Sequence, residues 1–228
     1  MYKRQGYDNR PLYNSVDASL LLFEEIKKYI NYTQDYKFIK DNFYEWLKKI
    51  IESYKNGIDV DNNNIYMERD SLIHSGTPNT QNTWMDVKYG DFAVTPRNGK
   101  AVEINSMWYN ALKIMEELSA KFETDDVSKS YGDLAEKVKR SFNKKFYNAK
   151  KKCLYDVLDD EKVRPNQLFS LSLSYPVLNA SGKVAKEMLK TVTDELYTRH
   201  GLRTLTKKDK QYVATVSYTH LTLPTNSR

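Results

Sequence analysis

Between Thr83 and Asn110 one run of residues places two tryptophans (Trp84, Trp108), three acids (Asp86, Asp91, Glu103) and two amides (Asn105, Asn110) together. They lie in or beside a loop punctuated by Gly90, Pro96 and Gly99. Aromatic faces bind the apolar faces of sugar rings, amides and carboxylates hold hydroxyls, and a carboxyl group can protonate a glycosidic oxygen. The same residue types also admit a purely structural reading, with both tryptophans in a core and the aspartates solvated. Composition alone favours that second reading.

The elements that must position these groups read as helices. From Ser15 the apolar positions Leu20, Phe23, Ile26 and Ile30 follow helical spacing, and a second stripe runs through Phe43, Trp46, Leu47, Ile50, Ile51 and Tyr54 to Gly57. Residues 58–101 carry Gly76, Pro78, Gly90, Pro96 and Gly99 with no sustained period, and a loop of that length in a compact domain is usually functional. Helical spacing resumes at Ile104, Met107, Trp108, Ala111, Leu112, Met115 and Leu118, then again at Tyr131, Leu134, Val138 and Phe142. Arg164-Pro-Asn-Gln167 opens a fifth helix over Leu168–Tyr175, and Val184, Met188, Leu189, Val192 and Leu196 mark a sixth, closed by Gly201. The expected class is all-α, with three consecutive helical hairpins. An interaction solenoid would have the same helices, but no fixed-period repeat is visible and the connections differ greatly in length.

Net charge is +6, with both signs mixed along the helices (Glu24–Lys28, Glu116–Lys121), which reads as a solvated surface and gives no nucleic-acid stripe. No apolar run approaches the roughly 20 residues that span a bilayer. Cys153 is the only cysteine, so no intrachain disulfide can form, which is compatible with a cytoplasmic location. The 18 tyrosines suit sugar binding, although a Lys-, Asn- and Tyr-rich chain follows equally from AT-rich coding DNA. Both ends carry a different message. Met1–Gln5 and Val216–His220 can be encoded by one short DNA element read in opposite orientations. That element resembles the transposon-end adapter of sequencing libraries, with Leu221–Arg228 as its continuation. Residues 1–5 and 216–228 are therefore expected to be non-native, leaving 6–215 as one partial domain. Without Lys3, Arg4 and Arg228 there are 33 basic residues against 30 acidic, a charge of +3.

The run Thr83-Trp-Met-Asp86, Gly90-Asp91, Val94-Thr-Pro-Arg97, Gly99-Lys100, Val102-Glu-Ile-Asn105 and Trp108-Tyr-Asn-Ala-Leu112 resembles the amylo-α-1,6-glucosidase part of glycogen debranching enzymes. Tyr13–Leu20, Arg164–Gln167 and Tyr197–Leu205 recur in that family in the same order, so the resemblance spans nearly all of 6–215. It implies about half, three hairpins, of a six-hairpin α/α toroid with the site on loops at one end. It also implies an α-glucan partner such as glycogen or a branched dextrin, no cofactor, and no nucleic acid or membrane. No counterpart of the β-rich N-terminal domain common in the family is seen.

Inverting hydrolysis needs two carboxyl groups roughly 6.5–9.5 Å apart, one to protonate the leaving oxygen and one to activate water. In the family the acid is the Asp of the Thr-Trp-Met-Asp run, which falls on Asp86. Trp84 and Met85 would supply apolar surroundings for it. Asp91 competes as the acid, although bracing the loop is its preferred role. The family's base lies well downstream and no residue here matches its motif. Trp84 and Trp108 become candidate sugar platforms, and Glu103 and Asn105 candidate hydroxyl ligands. Asp17 either favours its helix N-terminus or meets a sugar hydroxyl. Arg164, Asn166 and Gln167 either bind sugar or brace a rigid helix entry set by Pro165. Among the remaining features, His74 lacks a partner at metal-ligand spacing. Cys153 among lysines could be mildly acidic, yet has no His–acid pair nearby. His200 is expected to complement the end of the sixth helix. Arg97-Asn-Gly-Lys100 lacks the full P-loop pattern. Fold alone leaves open a glycosidase acting on trehalose or an α-mannoside, and a non-catalytic helical glycan-binding scaffold.

Overall fold

The structure is a computed structural model describing residues 4–5, 11–12, 15–58, 63–89 and 92–213. The adapter-like residues 1–3 and 216–228 lie outside the described residues, whereas Arg4–Gln5 pairs antiparallel with Pro11–Leu12. Among the described residues the chain is mostly α-helical: α1 (Ala18–Thr33), α2 (Tyr36–Asn42), α3 (Tyr44–Asn56), α4 (Val102–Phe122), α5 (Asp125–Lys145), α6 (Phe169–Ser172) and α7 (Lys183–Leu196). Among the same described residues the strands are two-residue ladders only, and no helix is long and apolar enough to cross a membrane.

Helix α4 is the hub. Most of its residues are buried, including Ile104, Trp108, Leu112, Met115 and Leu118, because α1, α5 and α6 all pack against it. Such all-round burial is what a helix apolar on more than one face requires. Its partner α5 is amphipathic, burying Tyr131, Ala135, Val138 and Phe142 against α4. Asp125 and Asp126 lie in the first turn of α5, and Lys144 and Lys145 in its last, matching the helix dipole. These two helices form a clear hairpin. Helix α1 packs on α4, whereas α7 rests on the Cys153–Leu154 strand.

Two departures from the expected elements have local causes. Helix α2 was not anticipated: it buries only Ile39, so it has no stripe to read, but Asp35 caps it by accepting from Phe38 N at 2.9 Å. The fifth helix is shorter than expected, beginning as a 3-10 turn at Pro165–Leu168 and stopping at Ser172. It stops because Glu24, buried on α1, captures Ser174 through its backbone N (3.1 Å) and hydroxyl (3.0 Å). Glu24 also accepts from Asn110 Nδ2 (3.0 Å), and Asn110 Oδ1 accepts from Tyr175 N (2.9 Å). One buried carboxylate thereby joins α1, α4 and the segment after α6, with its hydrogen bonds satisfied. Trp46, although on the apolar stripe, is 61 % exposed under the Lys49 ammonium.

Candidate active site

The irregular run from residue 63 to residue 101 is held by pins rather than by regular structure. Ser75 and Gly99 exchange backbone hydrogen bonds (3.0 and 2.8 Å), and both turns they close use left-handed backbone, at Gly76 (φ 85°) and Gly99 (φ 103°). Asn82 is buried and donates through Nδ2 to Asn63 O (2.7 Å) and Ser75 Oγ (3.1 Å), while its own carbonyl accepts from Val16 N (2.9 Å). That last bond sets the start of α1 beside Thr83 and Trp84. Asp17 occupies the N-cap of α1, where its carboxylate accepts from Ser15 Oγ at 2.5 Å.

A cavity of about 370 Å³ opens at this junction. Asp17, Trp84, Glu103, Met107, Asn166 and Phe169 contribute to its wall, which is largely apolar with few polar groups, as small-molecule sites commonly are. Trp84 is 45 % exposed there, and its indole N–H donates to Asn166 Oδ1 at 2.9 Å.

Under the cavity lies a buried ionic quartet. Arg97 donates to both oxygens of Glu103 (2.7 Å from Nη2 to Oε2) and to both oxygens of Asp156 (2.7 Å from Nε, 3.0 Å from Nη2). Arg164 Nε stands 3.4 Å from Asp156, and its Nη1 donates to Thr204 O at 3.0 Å. The two guanidiniums balance the two carboxylates, the condition under which charge can be buried. Burial raises the Glu103 carboxyl above its ordinary range, with Arg97 opposing but not cancelling the shift. Burial lowers Arg164, while Arg97, held between two carboxylates, is raised despite burial.

A family model described as amylo-alpha-1,6-glucosidase matches residues 3–222. The chain belongs to the amylo-alpha-1,6-glucosidase family. No individual curated protein matches it. The glucosidase signature from Thr83 to Leu112 therefore divides into a part that faces the cavity and a part that supports it.

Of the expected site residues, Asp17, Trp84, Glu103 and Asn166 meet at the cavity. Asp86 is half-buried two residues beyond Trp84, and Asp91 lies outside the described residues. The others serve packing. Trp108 is fully buried, its N–H given to Ser71 O (3.2 Å) and its ring against Tyr54, so it has no face for a sugar. Asn105 is also fully buried: Oδ1 accepts from Ile73 N (2.7 Å), and Nδ2 donates to Ile73 O (3.1 Å) and Ala101 O (3.0 Å). It clasps the 72–74 segment and has no donor left for a hydroxyl. Gln167 braces Leu154 N (3.0 Å) and Arg164 O (2.8 Å). Arg164 is 7 % exposed in the quartet, and Glu103, at 1 %, spends both oxygens on Arg97. Bracing rather than sugar binding is thus what the contacts of Gln167 and Arg164 provide.

Arg97 and Asp156 were missed as site residues. Arg97 stood out as part of the family signature and of a failed phosphate motif but was given no role, and Asp156 lies in a short segment with no pattern of its own. An Arg six residues before Glu103, both inside the signature, is the sequence signal that could have suggested an ion pair. Cys153 is buried and its thiol is pushed up to about 11 by desolvation, which corrects the expectation of mild acidity. His74 stacks on Tyr66 and reaches Glu68 (3.2 Å) and Gly76 O (3.2 Å). His200 does not complement α7, which ends at Leu196; it sits in the turn between Thr198 and Gly201 and accepts from Arg199 Nε (2.8 Å).

Proposed function

We propose that this chain carries the acid-side half of an inverting α-1,6-glucosidase acting on branch linkages of glycogen or a branched dextrin, without a cofactor. The observation that carries the reading is Trp84. Its ring is half-exposed on the cavity wall, its N–H is fixed by Asn166, and the Asp17 carboxylate shares the same cavity. A fixed indole face beside a carboxylate suits a glucose ring, which is apolar on its faces and hydroxylated at its rim. Asp86, next to this wall, acts as the general acid, and Asp17 holds a glucose hydroxyl. The helices form part of a six-hairpin α/α toroid, and the activity belongs to the cell interior, where glycogen is stored. No residue of the chain matches the family's base, so the chain by itself binds branched glucan without hydrolysing it.

The test is leaving-group dependence, in a protein whose second carboxylate is present. Asp86→Asn keeps size and most hydrogen bonding but removes the proton donor. Hydrolysis of a branched dextrin is expected to fall by about 10²–10⁴-fold. Hydrolysis of α-glucosyl fluoride, whose leaving group scarcely needs a proton, is expected to fall much less. Asp91→Asn should reduce both modestly and alike. The opposite pattern, with Asp91→Asn showing the leaving-group dependence, would remove Asp86 from its role.

A further inference from the structure

We infer that Asn166 is a positioning residue: it locks Trp84, and with it the Thr83–Asp86 run, onto the buried Arg97–Asp156 pair, rather than meeting the sugar. The significance of that run rests on the glucosidase reading above; the lock itself does not. Asn166 is 2 % exposed although it borders the cavity, and both ends of its amide are committed. Oδ1 accepts from Trp84 Nε1 at 2.9 Å, and Nδ2 donates to Asp156 Oδ1 at 2.8 Å, with Met85 Sδ 3.7 Å away. Asp156 in turn is fixed by Arg97 side-on and by the bond from Val102 N to its own carbonyl (3.0 Å). Arg97 also donates from Nη1 to Thr83 Oγ1 (3.2 Å).

Three consecutive side chains ahead of Asp86 are thereby tied to one unit: Thr83 through Arg97, and Trp84 and Met85 through Asn166. The backbone of Asn166 is itself restrained, since Pro165 fixes the entry to the 3-10 turn and Phe169 N bonds back to Asn166 O. An indole with one bonded edge cannot turn about its ring axis without losing that bond. The lock therefore sets the plane offered to a sugar and the path of the backbone into Asp86. Reacting groups displaced by about 1 Å lose on the order of 10²-fold in rate, so such supports matter as much as the groups they hold.

The test uses the chain itself with ¹⁵N-labelled indoles, the Trp84 signal being assigned by its loss in Trp84→Phe. Two quantities are read: hydrogen exchange at Trp84 Nε1 and affinity for isomaltose. In Asn166→Ala, exchange is expected to accelerate roughly tenfold and affinity to fall by a similar factor, the worth of one hydrogen bond. Asn166→Asp sets a carboxylate against Asp156 and should also release Trp84. A role in general stability would quicken exchange at the buried Trp108 Nε1 to the same degree, whereas release of the lock quickens Trp84 alone.

Unchanged exchange in folded Asn166→Ala overturns the inference. So does a fall in affinity without a change in exchange, which would mean that Asn166 touches the sugar. If the alanine variant fails to fold, the Asn166→Asp variant decides: faster exchange at Trp84 Nε1 than at Trp108 Nε1 supports the lock, and equal or unchanged exchange overturns it. Should the parent chain not bind isomaltose, the glucan reading falls, while indole exchange still decides the lock.

Discussion

The α4–α5 hairpin and the 63–101 run each contribute buried residues, yet those residues are held by different forces. In the hairpin, Leu112, Met115, Leu118, Val138 and Phe142 exclude water with side chains that have no polar atom to satisfy. For the loop, Asn82 and Arg97 within it and Asn105 on α4 replace missing helical and sheet bonds one by one, through contacts of 2.7–3.2 Å. Apolar packing is non-directional and tolerates exchange of one shape for another of equal volume. A buried polar network tolerates little, because each lost partner leaves another group desolvated and unpaired. Among the described polar residues of the signature, Arg97 and Asn105 are committed to contacts that hold the loop.

Introducing the same side chain into both regions breaks the comparison open. Arg97→Met keeps much of the length but leaves Glu103 buried without its cation and Asp156 with Arg164 alone, and should cost about 3–5 kcal/mol in urea unfolding. A loss below about 1 kcal/mol would mean that the quartet does not hold the loop. Asn105→Ala strands the N–H and C=O of Ile73 and should cost about 1–3 kcal/mol. Proteolysis of the 63–101 run, followed by mass spectrometry, should quicken in this variant before the helices are cut. Leu112→Met, a volume-conserving change in the hairpin, should cost less than about 1.5 kcal/mol by thermal melting. If it proves as damaging as Arg97→Met, the contrast between the two regions is wrong.

Helical periodicity made α1, α3, α4, α5 and α7 legible, because each buries one stripe or more. It failed for α2, whose Tyr36, Phe38 and Ile39 yield a single buried side chain over seven residues. It also overran α6: Pro176 is a local sign against helix at Tyr175, but the stop as early as Ser172 goes with the contact to Glu24, 150 residues earlier. For the site, residue types were readable and depth was not. Trp108 already shared a stripe with Ile104, Ala111 and Leu112, and that periodicity points to a core more firmly than its chemistry points to a sugar. Trp84, in a run without period, carried no such warning and is the one of this pair left half-exposed. Asn105 and Gln167 differ from a hydroxyl ligand only in whether a backbone group claims them first, and long-range packing decides that.

The lock on Trp84 also sets a schedule. During synthesis Trp84 leaves the ribosome 82 residues before Asn166, and Arg97 leaves 59 residues before Asp156. At about 5–20 residues per second, the wait for Asn166 is roughly 4–16 s. Through that interval Arg97 has Glu103 at hand, six residues on, but the far side of its guanidinium and the indole edge of Trp84 have only water. The loop that carries Asp86 is therefore among the last parts of this chain to become ordered, although it is encoded in the first half. A nascent chain caught between these two points should present that loop to proteases while α1 and α3 are already formed.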